Sequence, residues 1–260
     1  MVTILKKPDI QKIQQEGFST YDMHSHTTYS DGRDTPEQMV KKAQELGVGL
    51  CLTDHNAIGG TWQVRQQKEV PIIPAIEINT FEGPHILGYF YTYDELQEFY
   101  TKRIQPYVKE NPNIRLKKTF EETIADLKEY NCVYSIAHPC GPVWTNLLKY
   151  MKEKRKHLLQ KLPVLEVING TQLRGSNQQA GELVKSYEKA TTGGSDAHIA
   201  EQIGKVITCA KTDSKEKFLN AIKRKKNMVI GLEDSLLQRI KVHTHLMKYH
   251  LKYASTFFKQ

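Results

Sequence analysis

Nine side chains of the kind that bind metal ions stand in ordered groups along this chain: His24-Ser25-His26, Asp31, His55 directly after Asp54, Glu77, His85, His138 and Asp196-Ala197-His198. Imidazoles and carboxylates without thiolate suit Zn, Mn or Fe and do not choose among these ions. Spacing adds to composition. On a strand, residues two apart project from one face, so His24 pairs with His26, and Asp196 with His198 if the strand persists that far. Each pair can grip one ion, and such a centre points to an enzyme.

Strands must carry these residues. Short apolar runs read as strands over 19–23, 48–53, 72–78, 85–90, 132–137, 163–168 and 190–194. In nearly every run the candidate ligand stands near the C-terminal end, where sites gather in parallel α/β sheets and barrels. His85, which opens its run, is the exception. Thr35-Pro36-Glu37-Gln38 supplies an N-cap, a proline at the first helical position and a capping-box glutamine, and Gly47 closes that helix. Further helices are predicted over 95–108, 120–130, 146–160, 178–188 and 215–226, with Asn111-Pro112-Asn113 as a break. This alternation predicts βαβ units and a mostly parallel sheet or barrel, without internal repeats.

With 260 residues, 39% hydrophobic and 25% charged, the chain has material for one large α/β domain and little for a second. No run of about 18 apolar residues is present, so no transmembrane helix is expected. The N-terminus lacks a long apolar stretch with a small-residue cleavage site, and Cys51, Cys132, Cys140 and Cys209 show no C-x-x-C spacing. The expectation is a cytoplasmic protein with reduced thiols. Net charge is +8, and all of the excess is C-terminal: residues 211–260 hold 12 basic and 4 acidic residues, whereas 1–210 hold 25 of each. Such a tail suits a phosphate backbone or an anionic lipid surface, and equally a solvated helix.

The segments YDMHSHTTYSDGRDTPEQMV, LCLTDHNAIGG, AIEINTFEGPHILGYF, SIAHPCG, LEVING and GGSDAH resemble, in this order, the PHP family, the polymerase and histidinol phosphatase superfamily of metal-dependent phosphoesterases. The resemblance spans residues 20 to about 230 and implies a distorted (β/α)7 barrel over 1–232, followed by a basic helical tail over 233–260. It also implies a trinuclear site of two or three divalent ions. His24, His26, Glu77 and Asp196 would hold the first ion, Glu77 bridging to a second completed by His85 and His138; Asp31, His55 and His198 would hold the third. A water between two ions about 3.5 to 4 Å apart loses a proton near neutral pH and becomes the nucleophile for a phosphate ester. Glu77 would fix that bridge, and Asp196 would orient the water or take its proton.

The substrate class implied is a nucleotide, a nucleic-acid end or a small phosphomonoester. Relatives that trim nucleotides and RNA 5′ ends carry a sizeable insertion between two of these histidines, whereas 53 residues separate His85 from His138 here. Arg33, in the loop after Asp31, is the first candidate for a phosphate clamp, with Arg174 and Lys205 behind it. Asp22 and Asp54 either orient a ligand or make ordinary barrel hydrogen bonds. Tyr29, Tyr91, Tyr93 and Trp144 are candidates to stack a base, and Cys140 to line the site without acting as nucleophile. Gly193-Gly194 suits a tight turn or a close backbone approach. His157, His243, His245 and His250 read as surface residues. In the tail, Leu236, Leu237, Ile240, Leu246, Met247, Tyr249 and Phe257 share one side of a helix that packs on the barrel or pairs with another subunit. A noncatalytic module, with ions for stability and a tail for nucleic acid, is the alternative reading.

Overall fold

The computed structural model describes residues 2–142, 145–151 and 156–253; Trp144, Phe257 and the His157 side chain lie outside the described residues. Ten strands are present among the described residues: β1 (Val2–Leu5), β2 (Ser19–Asp22), β3 (Gly49–Leu50), β4 (Ala75–Asn79), β5 (His85–Phe90), β6 (Cys132–Ile136), β7 (Val164–Asn169), β8 (Ala190–Gly194), β9 (Val206–Ala210) and β10 (Met228–Gly231). Between them run the helices α1 (Ile10–Gln15), α2 (Pro36–Leu46), α3 (Gly59–Gln63), α4 (Tyr93–Phe99), α5 (Phe120–Lys128), α6 (Leu147–Met151), α7 (Lys156–Lys161), α8 (Arg174–Ser186), α9 (Lys215–Lys223) and α10 (Leu236–Lys252).

The strands form two five-stranded sheets, in the orders β1-β10-β9-β2-β3 and β4-β5-β6-β7-β8. The expectation of a mostly parallel sheet is corrected: β2–β9, β9–β10, β4–β5 and β5–β6 are antiparallel, and the other four pairs are parallel. A short hairpin, Thr80–Pro84, returns the chain from β4 to β5, and no crossover helix fits so short a link. That reversal explains why His85 opens its strand. Along antiparallel β5 the end that faces the ligands is the N-terminal one.

Three isolated bridges flank the sheets. Ser25 pairs with Ala197 across the ends of β2 and β8; Leu50 pairs with Ile72 and His55 with Glu77 between β3 and β4. The two seams are therefore stitched at residues that carry or adjoin candidate ligands.

Local signals hold where capping chemistry decides them. Thr35 and Gln38 form the reciprocal capping box, Pro36 is the first residue of α2, and Gly47 ends it at φ 70°. Met39, Val40 and Ala43 from α2 pack on Leu50, Leu52 and Ile207. The single helix expected over 95–108 is instead α4, a π-helical turn at Tyr100–Ile104 and a 3-10 turn at Gln105–Tyr107, where Pro106 cannot donate a helical hydrogen bond.

Candidate metal centre

All nine candidate ligands converge. Among the described residues, four overlapping groups of three bring ligand atoms within 4.8 Å of one another: His24, His26 and Glu77; His26, Asp196 and His198; His26, Asp31 and His55; and His55, Glu77 and His85. His138 joins through Nε2, 3.4 Å from Glu77 Oε1. The Glu77 carboxylate divides its two oxygens. Oε1 faces His85 Nδ1 (3.0 Å) and His138, while Oε2 faces His24 Nε2 and His55 Nδ1 (both 3.1 Å) and His26 Nε2 (3.3 Å). Asp31 Oδ2 lies 3.6 Å from His55 Nε2 and 3.4 Å from His198 Nε2. Asp196 Oδ1 lies 3.1 Å from His26 Nε2 and 3.5 Å from His24 Nε2.

The donor set fits divalent ions. Imidazole Nε2 atoms of His24 and His26 meet at 3.1 Å in full burial, a repulsive contact between two lone pairs unless positive charge, a proton or a cation, lies between them. The tautomers are fixed from behind. His24 Nδ1 donates to Glu166 Oε1 at 3.0 Å, and His198 Nδ1 donates to the Asp196 carbonyl at 2.9 Å, so both Nε2 atoms face the centre and offer a lone pair there when the ring is neutral.

Glu166 stands behind the centre without being one of the nine expected donors. It sits in β7, buried among apolar neighbours, and its Oε2 also accepts from the His138 backbone N–H (2.7 Å) and Asn169 Nδ2 (2.9 Å). The signal was present in LEVING, where an acid interrupts an otherwise apolar strand. Asn169 Nδ2 and Thr171 Oγ1 both donate to Asp196 Oδ2, at 3.1 and 2.8 Å.

Backbone strain collects here. Of five non-glycine residues with positive φ among the described residues, three are at the centre: Asn56 (47°), His138 (27°) and Asp196 (54°). The Asp196 N–H donates to the His24 carbonyl at 2.8 Å, holding that turn. Gly194 ends β8 against His24; a Cβ there would lie 2.4 Å from the His24 backbone nitrogen, so glycine serves close approach and not a turn.

Charge in the ion-free cluster is unevenly shared. Burial pushes the Glu77 and Asp196 carboxyls up, but surrounding imidazoles outweigh it and hold both well below the usual range. Burial pushes the imidazoles down, and it prevails at His26, His55 and His85. Carboxylates prevail at His24 and His138, which are raised, and at His198, where Asp31 lifts the value to about 9.

Asp22 and Asp54 make structural hydrogen bonds. Asp22 accepts from Ser195 Oγ (2.6 Å) and the N–H groups of Ser195 and Gly204 (both 2.9 Å), and burial raises its carboxyl to about 6. Asp54 accepts from the Thr27 N–H and the Thr27 and Ser30 hydroxyls. The three basic candidates are each engaged by carboxylates. Arg33 grips Asp34 bidentately (2.8 and 3.0 Å), Arg174 pairs with Glu233 and Lys205 with Asp234. Cys140 is buried, and its thiol is pushed up to about 12, too high for a nucleophile. Tyr91 and Tyr93 are misplaced as base-stacking candidates: they follow the far end of β5, roughly 20 Å from His85 along the strand, where they contact Asn220 and Lys215. Tyr29 packs against Gly59 and is 43% exposed.

The tail folds back on this rim. His245, expected on the surface, is half-buried with Nε2 2.9 Å from the Asp31 carbonyl, and Tyr249 Oη donates to Asn111 Oδ1 at 2.9 Å. Asn113 Nδ2 in turn donates to Asp31 Oδ2 at 2.8 Å, while its carbonyl accepts from Asn79 Nδ2. No helix among the described residues is long and apolar enough to cross a membrane.

Fold and cluster together define a mixed α/β protein whose two sheets meet at a buried imidazole–carboxylate centre. The family described as PHP-associated matches residues 174–227. The 5'-3' exoribonuclease Rnm of Salmonella typhimurium is 42% identical over 71 residues, which cover 25% of this chain and 24% of that protein. Among solved structures, the lesion-specific endonuclease Q of Pyrococcus furiosus superposes with a TM-score of 0.66 at 20% identity, over 82% of this chain and 57% of that one. A two-domain Bacteroides vulgatus protein assigned a PHP-like metal-dependent phosphoesterase gives a TM-score of 0.59 at 18% identity, over 89% and 69%. The matched segment spans about a quarter of the length of the curated relative, and the likeness to these solved structures is one of fold, that of PHP-type proteins.

Proposed function

We propose that the chain is a metal-dependent phosphoesterase that hydrolyses a phosphate ester of a nucleotide or nucleic-acid end on two or three divalent ions (Zn, Mn or Fe). The observation that carries this reading is the convergence of six imidazoles and three carboxylates, drawn from residues 24 to 198, on one buried point. We read the donors as three sets, His24, His26, Glu77 and Asp196; Glu77, His85 and His138; and Asp31, His55 and His198, with His55 Nδ1 also 3.1 Å from Glu77 Oε2 and His26 Nδ1 3.7 Å from Asp31 Oδ1. We also read the two sheets as halves of a distorted (β/α)7 barrel whose mouth holds this centre.

Divalent ions bound there would offset the charge of the phosphate oxygens and lower the pKa of a water held between them. The residues do the rest. Glu77, with one oxygen toward each of two sets, keeps their spacing. Asp196 orients the attacking water, since Asn169 and Thr171 immobilise its Oδ2 and leave Oδ1 toward His26. Arg33, on the loop that carries Asp31, is the phosphate clamp, and to act it exchanges the Asp34 carboxylate for a phosphate of similar fork geometry. Arg174 and Lys205 are weaker substrate contacts, because Glu233 and Asp234 hold them beside the start of α10. The nucleic-acid side of the substrate class is favoured by the names of the exoribonuclease and endonuclease relatives.

The test is turnover of a generic aryl phosphate ester with Mn²⁺. It is expected in the wild type and lost in Glu77→Ala and His138→Ala while the far-ultraviolet circular dichroism stays native. Metal-dependent melting without turnover of any phosphate ester would leave the centre a structural device and end the proposal.

A further inference from the structure

α10 closes one wall of a cavity of about 590 Å³ whose lining includes Pro142, Thr171, Arg239, Ile240, His243 and Leu246, a volume within the range of about 300–1,000 Å³ that takes small molecules. One side of the cavity touches the metal centre: Thr171, in its lining, donates its hydroxyl to Asp196 Oδ2 at 2.8 Å. Pro142 follows His138 by four residues in the same loop. The outer wall is fastened in place. Arg239 Nη2 donates to the Gln172 carbonyl at 2.7 Å, and His245 and Tyr249 tie the helix to Asp31 and Asn111.

The chemistry of the wall selects its occupant. Pro142, Ile240 and Leu246 offer apolar contact, and the exposed His243 offers a flat ring beside them. Meanwhile α10 carries Arg239, Lys241, Lys248 and Lys252 and no acidic residue, so its potential draws a polyanion along the helix. A flat apolar ring attached to a chain of phosphates matches both halves of this description. A bare sugar phosphate leaves the apolar wall unused.

We propose, resting on the phosphoesterase reading, that this groove receives the base of the nucleoside adjoining the scissile phosphate, stacked on His243 against Ile240 and Leu246. The substrate is then an end of a single-stranded nucleic acid, because a base must be unpaired to enter. Lys241 and Lys248 follow the phosphates beyond it.

The experiment measures binding to the metal-loaded full chain by fluorescence anisotropy. The probes are a 5′-phosphorylated RNA pentamer with phosphorothioate linkages and an abasic ribose-phosphate oligomer of equal length. The wild type is expected to prefer the RNA by about tenfold, the scale of one stacked base. His243→Ala and Ile240→Ser, both at exposed positions of α10, are expected to remove most of that preference while the melting temperature stays unchanged. Equal affinity for the two probes, or a preference that survives both variants, would overturn the assignment. So would binding of α10 to phosphatidylglycerol vesicles that excludes the RNA, since the exposed Leu236, Leu237, Met247 and Leu251 would then serve a lipid surface. Turnover of the aryl phosphate ester separates the two failures: its absence sinks the phosphoesterase reading, whereas its presence without base preference sinks only the groove.

Discussion

The two flanks of the metal centre are built differently. On the Glu77 flank the donors come from strands or their ends, and a buried acid, Glu166, braces His24 and the His138 backbone from behind. On the Asp31 flank the donors come from loops, and the brace is a chain of amides and a helix: Asn79 to Asn113 to Asp31, with His245 and Tyr249 of α10 laid across the top. Strand donors are held by the sheet's own hydrogen bonds, so their geometry is set once the sheet forms. Loop donors depend on contacts made between distant segments. The Glu77 flank should therefore hold ions tightly and uniformly, and the Asp31 flank should release its ion first.

Substitutions on each flank test this difference in descending order of effect. Glu77→Ala removes the carboxylate shared by two donor sets, and turnover of an aryl phosphate ester should fall by roughly 10³-fold or more, with fewer ions retained after gel filtration as counted by plasma mass spectrometry. Retention of the full ion count would remove Glu77 from its bridging role. Glu166→Gln keeps the shape but loses the charge behind His24, and metal affinity should weaken by about 10- to 100-fold, measured by competition with a chromogenic chelator. An unchanged affinity would reduce Glu166 to packing. Asn113→Ala removes one hydrogen bond to the Asp31 carboxylate, a loss of about 1.5–3 kcal/mol at most. One ion should leave at dilute metal while the rest stay. If all ions leave together, the two flanks are a single unit and the comparison fails.

The smallest effect is on protons. His24, His138 and His198 are raised in the ion-free protein, His198 to about 9. The stabilisation that His198 gains by being protonated is fully present below its unfolded value of about 6.5 and is lost as pH rises through about 9. Ions compete with those protons, so metal uptake at pH 7 should release protons, and affinity should climb between about pH 6.5 and 9. Calorimetry in two buffers of different ionisation enthalpy reads the proton count. A count of zero would contradict the raised imidazoles.

Much of the convergence could be read from the chain because most donors stand in, or within a few residues of, otherwise apolar strands. His24 and His26 also carry a two-residue spacing that geometry interprets directly; Asp196 and His198 share that spacing, but β8 ends at Gly194 and Asp196 stands at φ 54°, so a turn and not a continuing strand brings them inward. Glu166 had the same signal without a partner at readable spacing, and its role emerged only when β7 was set beside β6 and β8. The amide chain of Asn79, Asn111 and Asn113 had no local signature at all; Asn-Pro-Asn reads as a break, and its contact with Asp31 is purely tertiary. The same limit applies to strand direction. Apolar runs announce β4 and β5, but the sense of each follows from the connection, and β1, β9 and β10 lie outside the strands that the sequence predicts. For α10, the amphipathic pattern forecast a packed helix and not the face it would cover.

The bridges Ser25–Ala197 and His55–Glu77 join the neighbouring strands β2 and β3 of one sheet to the opposite edge strands β8 and β4 of the other, and this has a bearing on synthesis. A nascent chain still on the ribosome has emitted His24 and His26 long before Asp196 and His198 emerge. Until then only part of the donor set exists, so an ion captured early would meet fewer ligands than the folded centre offers.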